Sequence, residues 1–551
     1  MRPPPSTSAQ SYHARRGQRG HPRRLPAKKS AALALAAVAA LTLVAVAGRP
    51  DLSLTQPISG PFARLLAAAT DLGASRDRVD LTVELRGPQP PDALHRWAHD
   101  KGLAVRWRPG DRWAVVSGKA NAVAASVGVP IHNYRHEAGQ IFYASPQQPT
   151  VPAALADSVA GFGRILSFTP IYGNGPAFRP LDVPDHALPP DSLRTTYNVQ
   201  PLTDMGYTGK GTTIVVFAFD GFNQADLDMF SQTYLLPKFT PELVGPMPEQ
   251  RSGEATMDLQ VAHAVAPDAR KVLVNARTTV DGGGTYVKIA ELMESVDREY
   301  PGAIWSLSIG WGCDRMITAA DLAPIRAAIS TAALHGTTVF DASGDLAGLE
   351  CKRGHDWSAP PGPADVGLDA VASLPEVTNV GGTTLSTDEQ YRWLAEHAWS
   401  DGPLTQGSGG GVSSLFDRPP WQSGVSSVSN NVRRLTPDVA AVADSSTGAV
   451  IVSNQQLVVG GGTSQAAPIW AGIAAVITQY LLDHGGRRLG DINPLLYRIA
   501  AGAARPGFHD ITLGTNAIAV AVPGYDMVTG LGSPDVYNLA QNILDAQRSP
   551  R

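Results

Sequence analysis

Alternation of apolar and polar residues is clearest in the first third of the chain, where Val79, Leu81, Val83 and Leu85 alternate with polar neighbours as in a half-buried strand. Residues 91–101 have helical spacing, and 103–107 and 113–117 read as strands divided by the turn formers Pro109, Gly110 and Asp111. A helical stretch at 120–127 and a strand at 140–144 follow. The order βαββαβ predicts a small ferredoxin-like α+β unit. Residues 173–190 carry Pro, Gly and Asp without periodicity, which predicts an exposed linker open to proteolysis. Beyond it the pattern changes. Residues 213–219, 271–275, 303–309 and 337–342 are apolar without alternation, as in parallel strands covered on both faces, and helical stretches separate them. The larger part of the chain is therefore expected to be α/β.

Composition adds the compartment. The chain has 551 residues, 43% hydrophobic and 17% charged, with a net charge of −4 that gives no reason to expect nucleic acid as a partner. Its basic residues are nevertheless bunched: Arg15, Arg16, Arg19, Arg23, Arg24, Lys28 and Lys29 precede an apolar run at 31–47 that ends in Ala45, Val46 and Ala47. Such a run is an export segment. It is either a cleaved signal or a membrane anchor, and being shorter than the roughly 20 residues usual for a span it favours cleavage. Either way the bulk of the protein is expected outside the cytoplasm.

The candidate chemistry begins with Ser464, set between a glycine-rich turn and an apolar helical run. A hydroxyl in that place is either a helix cap or a nucleophile beside backbone N–H groups that favour an oxyanion. A second helix is expected at 254–265, with Met257, Val261 and Val265 on its apolar face. At about 100° per residue, Glu254 and Asp258 fall on that same face and His263 on the opposite one. Neighbouring desolvated carboxylates share a proton, and such a pair can act as the base for a serine under acid conditions. The competing arrangement is Asp220, His335 and Ser464, which follow the order of a subtilisin triad. Its context is unfavourable: His335 ends an apolar helix, Gly336 reads as that helix's C-terminal cap, and Asp220 reads as a strand-end turn residue.

The motifs GEATMDLQVAHAVAP (253–267), SLSIGWG (306–312), ASGD (342–345), VGGTTL (380–385), GSGGGVSSLFDRPPWQ (407–422), TPDVAAVAD (436–444) and GGTSQAAP (461–468) together resemble the sedolisin, or serine-carboxyl peptidase, family that includes kumamolisins. The resemblance implies a subtilisin-like parallel sheet flanked by helices, preceded by the α+β unit as a prodomain. It divides the chain into an export signal or anchor at 1–48, a propeptide domain at 55–172, a linker with the processing site at 173–195, and a catalytic domain at 196–545. It implies that Ser464 is the nucleophile, Glu254 the general base and acid, Asp258 its orienting partner and Asp345 the oxyanion donor. The substrate would be a peptide or unfolded protein, and the propeptide would serve as intramolecular inhibitor.

Ser308, Gly310, Ser408, Gly409 and Gly410 are candidates for pairing with substrate backbone, since glycine permits close approach; simple turns are the alternative. One structural Ca2+ is implied at Asp510 and Asp526 with the carbonyls of Ile511, Val522 and Gly524, an oxygen-only set suited to a hard cation. Cys313 and Cys351, the only cysteines, follow two strands joined by one helix and so emerge at one edge of the sheet, where export would favour a disulfide. A non-catalytic peptide-binding module on the same scaffold is the alternative from another functional class.

Overall fold

The computed structural model describes residues 57–168, 179–180, 187–251, 253–280, 283–352, 361–401, 406–424 and 431–548. The expected export segment or anchor lies outside the described residues, as do 173–178 and 181–186 of the linker expected to carry the processing site.

The N-terminal body forms because alternate residues of Arg78–Leu85 (Val79, Leu81, Val83 and Leu85) are buried against the helices Asp92–Asp100 and Ala120–Val127. Its four-stranded antiparallel sheet runs Ala104–Arg106, Trp113–Lys119, Arg78–Leu85, Val159–Phe162, the strand order of a ferredoxin-like fold. One element differs from expectation. Ile141–Ala144 is a strand, but it pairs with His132–Arg135 in a separate three-stranded sheet, and Val159–Phe162 supplies the fourth place. An isolated alternating run cannot reveal which of two nearby edges it will join.

The larger body is built on an eight-stranded sheet. Glu242–Val244, Arg270–Asn275, Thr213–Ala218, Ile304–Leu307, Thr338–Ala342 and Thr378–Thr387 run parallel in that order. Val439–Val442 joins Thr378–Thr387 in parallel, and Trp393–Ala398 pairs with it antiparallel. The period of two explains the layers. Ile214, Val216 and Ala218 face the core that contains the helices Glu254–Val265 and Thr463–Asp483. Val215 and Phe217 face the core beneath Thr285–Glu299 and Ala319–Leu334. Thr463–Asp483 is the one described helix long and apolar enough to cross a membrane, and it is buried as a core helix.

The N-terminal body rests on the second helical layer. Trp113 and Val115 pack against Val287 and Ala323, while Arg108 forms a bidentate pair with Glu294 at 2.6 and 2.7 Å. Backbone from the same body meets the start of Ala319–Leu334, where the Asp321 carboxylate accepts both the Thr318 and Arg164 N–H groups. Farther on, Arg179–Pro180 pairs with Val458 and Val459, in the strand that leads directly into the turn before Ser464.

Candidate active site

Ser464 lies in the first turn of Thr463–Asp483, after Gly462 whose φ of +81° suits glycine. Gln465 locks this turn by donating to the Val442 carbonyl (3.0 Å) and accepting the Ala449 N–H (3.0 Å). Pro468 has no N–H to give the carbonyl four residues back, so the Ser464 carbonyl lacks its helical donor. Ser308 Oγ takes that place, donating at 3.3 Å. Ser308 thus braces the turn of the candidate nucleophile, a role its sequence context did not suggest.

Glu254 opens the helix Glu254–Val265. The expected apolar stripe is an understatement, because every residue from Ala255 to Val265 is buried and only Glu254 keeps a partly open edge. Burial first, and then the Asp258 charge, push the Glu254 carboxyl well above its ordinary pKa, while the neighbouring Ser464 hydroxyl pulls it back down. Glu254 Oε1 is buried without a hydrogen-bond partner among the described residues. Asp258 is fully buried, and desolvation raises its pKa strongly. Ser308 faces it and favours its charge, yet neither Asp258 oxygen has a well-formed hydrogen bond among the described residues. Two desolvated carboxyls one helical turn apart share protons instead of ionising independently.

Asp220 proves more than a turn residue. Only 7% exposed, it accepts the Ala255 N–H at 3.1 Å, and its charge acts on both Glu254 and Asp258. Burial lifts its pKa to about 6 despite the helix-start N–H groups that lower it. No local pattern tied this strand end to a helix 34 residues later; the parallel sheet does so.

Asp345 follows the strand Thr338–Ala342 and meets the Ser464 turn from the other side. The N–H and hydroxyl of Thr463 both donate to its Oδ1 at 2.8 Å, which leaves Oδ2 to hold a proton. Burial raises its pKa, opposed by these two bonds. Oδ2 lies so near Gly462 that a β-carbon there would come within 2.6 Å.

The histidines stand apart from this centre. His335 precedes the strand Thr338–Ala342 whereas Asp345 follows it, so they are separated by a strand length of roughly 16 Å. His335 pairs with Asp297 at 2.6 Å, at the end of a helix as expected. His263 points away, stacks on Phe239 and donates to the Pro237 carbonyl, and burial drops its pKa to about 3.

The residues expected at the substrate edge fall into two groups by exposure. Ser308 and Gly310 remain partly open. Ser408, Gly409 and Gly410 are buried. Ser408 Oγ donates to the Val528 carbonyl (2.6 Å) and accepts the Gly382 N–H, while the Gly409 N–H donates to the Gly344 carbonyl (2.8 Å). A β-carbon on Gly409 would meet the Ser343 carbonyl at 2.2 Å. These residues back the Asp345 loop, and their glycines serve internal packing.

Cys313 and Cys351 are joined as a disulfide, their Cα atoms 4.9 Å apart. At the C-terminal loop, Asp510 accepts the Gly524 N–H (2.9 Å) and Asp526 accepts the Val522 N–H (3.1 Å), so two carboxylates grip the 522–524 turn. Asp526 is 2% exposed, and burial raises its pKa against the N–H groups of Val522, Val528 and Thr529 that favour its charge. An oxygen-only set around a buried acid fits a hard divalent cation.

Comparison with known proteins agrees with this geometry. Residues 82–168 match the pro-kumamolisin activation domain and 251–489 the subtilase family. The chain is 30% identical over 482 residues to kumamolisin of Bacillus sp. (strain MN-32), covering 82% of each chain. It is 27% identical over 456 residues to sedolisin of Pseudomonas sp. (strain 101), covering 77% of this chain and 74% of the relative. The solved structure of Pseudomonas sedolisin, a serine-carboxyl proteinase complexed with two molecules of pseudo-iodotyrostatin, superposes with a TM-score of 0.55 at 26% identity, over 65% of this chain and 98% of that one. With a subtilisin-like sheet, an N-terminal activation domain and this extent of similarity, the chain belongs to the sedolisin family of serine-carboxyl peptidases and is made as a zymogen.

Proposed function

We propose that this peptidase is exported and acts in acid, cleaving peptide bonds through an acyl-enzyme on Ser464. The observation that carries this is the Ser464 hydroxyl set against the buried Glu254–Asp258 pair, with no histidine among the described residues at that point. Ser464 Oγ attacks the peptide carbonyl carbon and its proton passes to Glu254. Asp258 holds the shared charge of the pair. The oxyanion receives a hydrogen bond from the protonated Asp345 carboxyl. Glu254 then gives its proton to the leaving amine as the C–N bond breaks. In the second half, Glu254 takes a proton from water, which attacks the ester, and Ser464 recovers its proton as the acid product leaves.

The acid optimum follows from the same groups: rising pH ionises the second carboxyl of the pair and Asp345, and so removes the oxyanion donor. Asp510, Asp526 and the carbonyls of Ile511, Val522 and Gly524 would hold one structural Ca2+, which supplies positive charge to that loop and takes no part in the chemistry. The segment at 1–48 directs the chain out of the cytoplasm, and the domain at 55–172 restrains the enzyme until the linker at 173–195 is cut. The test is hydrolysis of an unfolded polypeptide across pH, read by product mass, with Ser464→Ala and Glu254→Gln beside the unaltered chain. Cleavage below neutrality by the unaltered chain alone is expected; activity that peaks above neutrality, or survives in Ser464→Ala, refutes the mechanism.

A further inference from the structure

The loop that carries Asp345 rests on a second carboxyl that the mechanism does not use. Glu350 Oε1 accepts the N–H of Leu346, the residue after Asp345, at 3.0 Å. The same carboxyl lies against the Cα of Gly344, the residue before Asp345: a β-carbon there would come within 2.3 Å of Oε1 and 2.5 Å of the carboxyl carbon. Gly344 also has a φ of +102°, so the close approach and the backbone both require glycine. On its other side the loop is fixed by Gly407 N–H to the Asp345 carbonyl (2.9 Å) and Gly409 N–H to the Gly344 carbonyl. Glu350 is itself anchored, since its N–H donates to the Gly367 carbonyl and its neighbour Cys351 is bonded to Cys313.

We infer that Glu350 is a positioning residue, holding Gly344 and Leu346 on either side of Asp345 so that the Asp345 carboxyl stays against the Ser464 turn. This rests on Asp345 being the oxyanion donor. The charged groups that act on Glu350 among the described residues are acids, Asp345 and Asp369, with Asp341 coupled behind Asp369. The cations of the adjoining segments are directed elsewhere: Arg64 binds Asp365 and the carbonyls of Cys351 and Ala364, Arg315 binds those of Pro363 and Val366, and Lys352 acts on Asp365. Burial and these like charges hold the Glu350 carboxyl well above its ordinary pKa. In acid the brace is neutral.

The test compares Glu350→Gln, Glu350→Ala and Asp345→Ala in the full chain after acid processing, with kcat and KM measured across pH and folding checked by circular dichroism. Glu350→Gln keeps an acceptor for Leu346 and stays neutral, so it should retain kcat in acid and rescue what Glu350→Ala loses. Glu350→Ala should fold, keep KM within about twofold and lose about 10- to 100-fold in kcat, the cost of a misplaced donor. Asp345→Ala should lose about 100- to 1,000-fold. If Asp345→Ala is fully active, Asp345 is no oxyanion donor, whatever Glu350 does. If it is inactive but Glu350→Ala matches the unaltered chain, or if Glu350→Gln loses as much kcat in acid as Glu350→Ala, positioning by Glu350 is overturned. Should Glu350→Ala fail to fold, Glu350→Leu, which fills the space without an acceptor, takes its place in the comparison.

Discussion

Replacing Asp220 by Asn tests whether burial or the helix start controls the charge of this site. Burial lifts the Asp220 pKa from 3.8 to about 6, against N–H groups at the start of Glu254–Val265 that favour the anion. The folded state therefore holds this proton more tightly than the unfolded chain. Its stabilising contribution is complete below about pH 4 and is lost as pH rises through about 6. A shift of about two units at 1.36 kcal/mol each amounts to about 3 kcal/mol. Asn keeps an oxygen for the Ala255 N–H and carries no charge, so below pH 4 the exchange should cost about 1 kcal/mol or less. Urea unfolding of Ser464→Ala, with and without Asp220→Asn, from pH 3.5 to 7.5 measures the difference without self-digestion. The Asn variant should gain about 3 kcal/mol relative to its parent between pH 4 and 7, with most of the gain below pH 6. A constant difference across this range would show that Asp220 is already ionised at pH 4 in the folded protein, and so that the helix start outweighs burial.

Two further outcomes are expected. Chain-entropy arithmetic for the 38-residue separation of Cys313 and Cys351 predicts that Cys313→Ala/Cys351→Ala loses about 4 kcal/mol, read as a lower urea midpoint that dithiothreitol no longer changes. Chelation by EDTA should lower the unfolding temperature, with Ca2+ but not Mg2+ restoring it, and Asp526→Ala should abolish the response; at Ca2+ 100-fold above its Kd the gain is about 2.7 kcal/mol.

Local pattern carried much of this protein. The helix at 254–265 and the strands near 213, 271, 304 and 338 were legible because each buries apolar residues at its own period, and those signals reside within one segment. The pairing of Glu254 with Asp258 was legible for the same reason, being one helical turn apart. At Gly409 the glycine signal was ambiguous, because it marks close backbone approach without saying whose backbone approaches, and the structure shows one such approach to the protein's own Gly344. Glu350 carried no signal at all, since a lone glutamate in a loop is ordinarily solvated.

What the sequence by itself determined is therefore the kind of elements, the inward face of two acids and the serine at a helix start. Only the tertiary structure decided that Ser308 and Asp345 meet the turn of that serine while Asp220 holds the start of the Glu254 helix. They arrive from the ends of three parallel strands, and only sheet register brings such ends together. The altered acidity arises at the same level, because desolvation depends on everything that packs around a carboxyl and not on its neighbours in the chain.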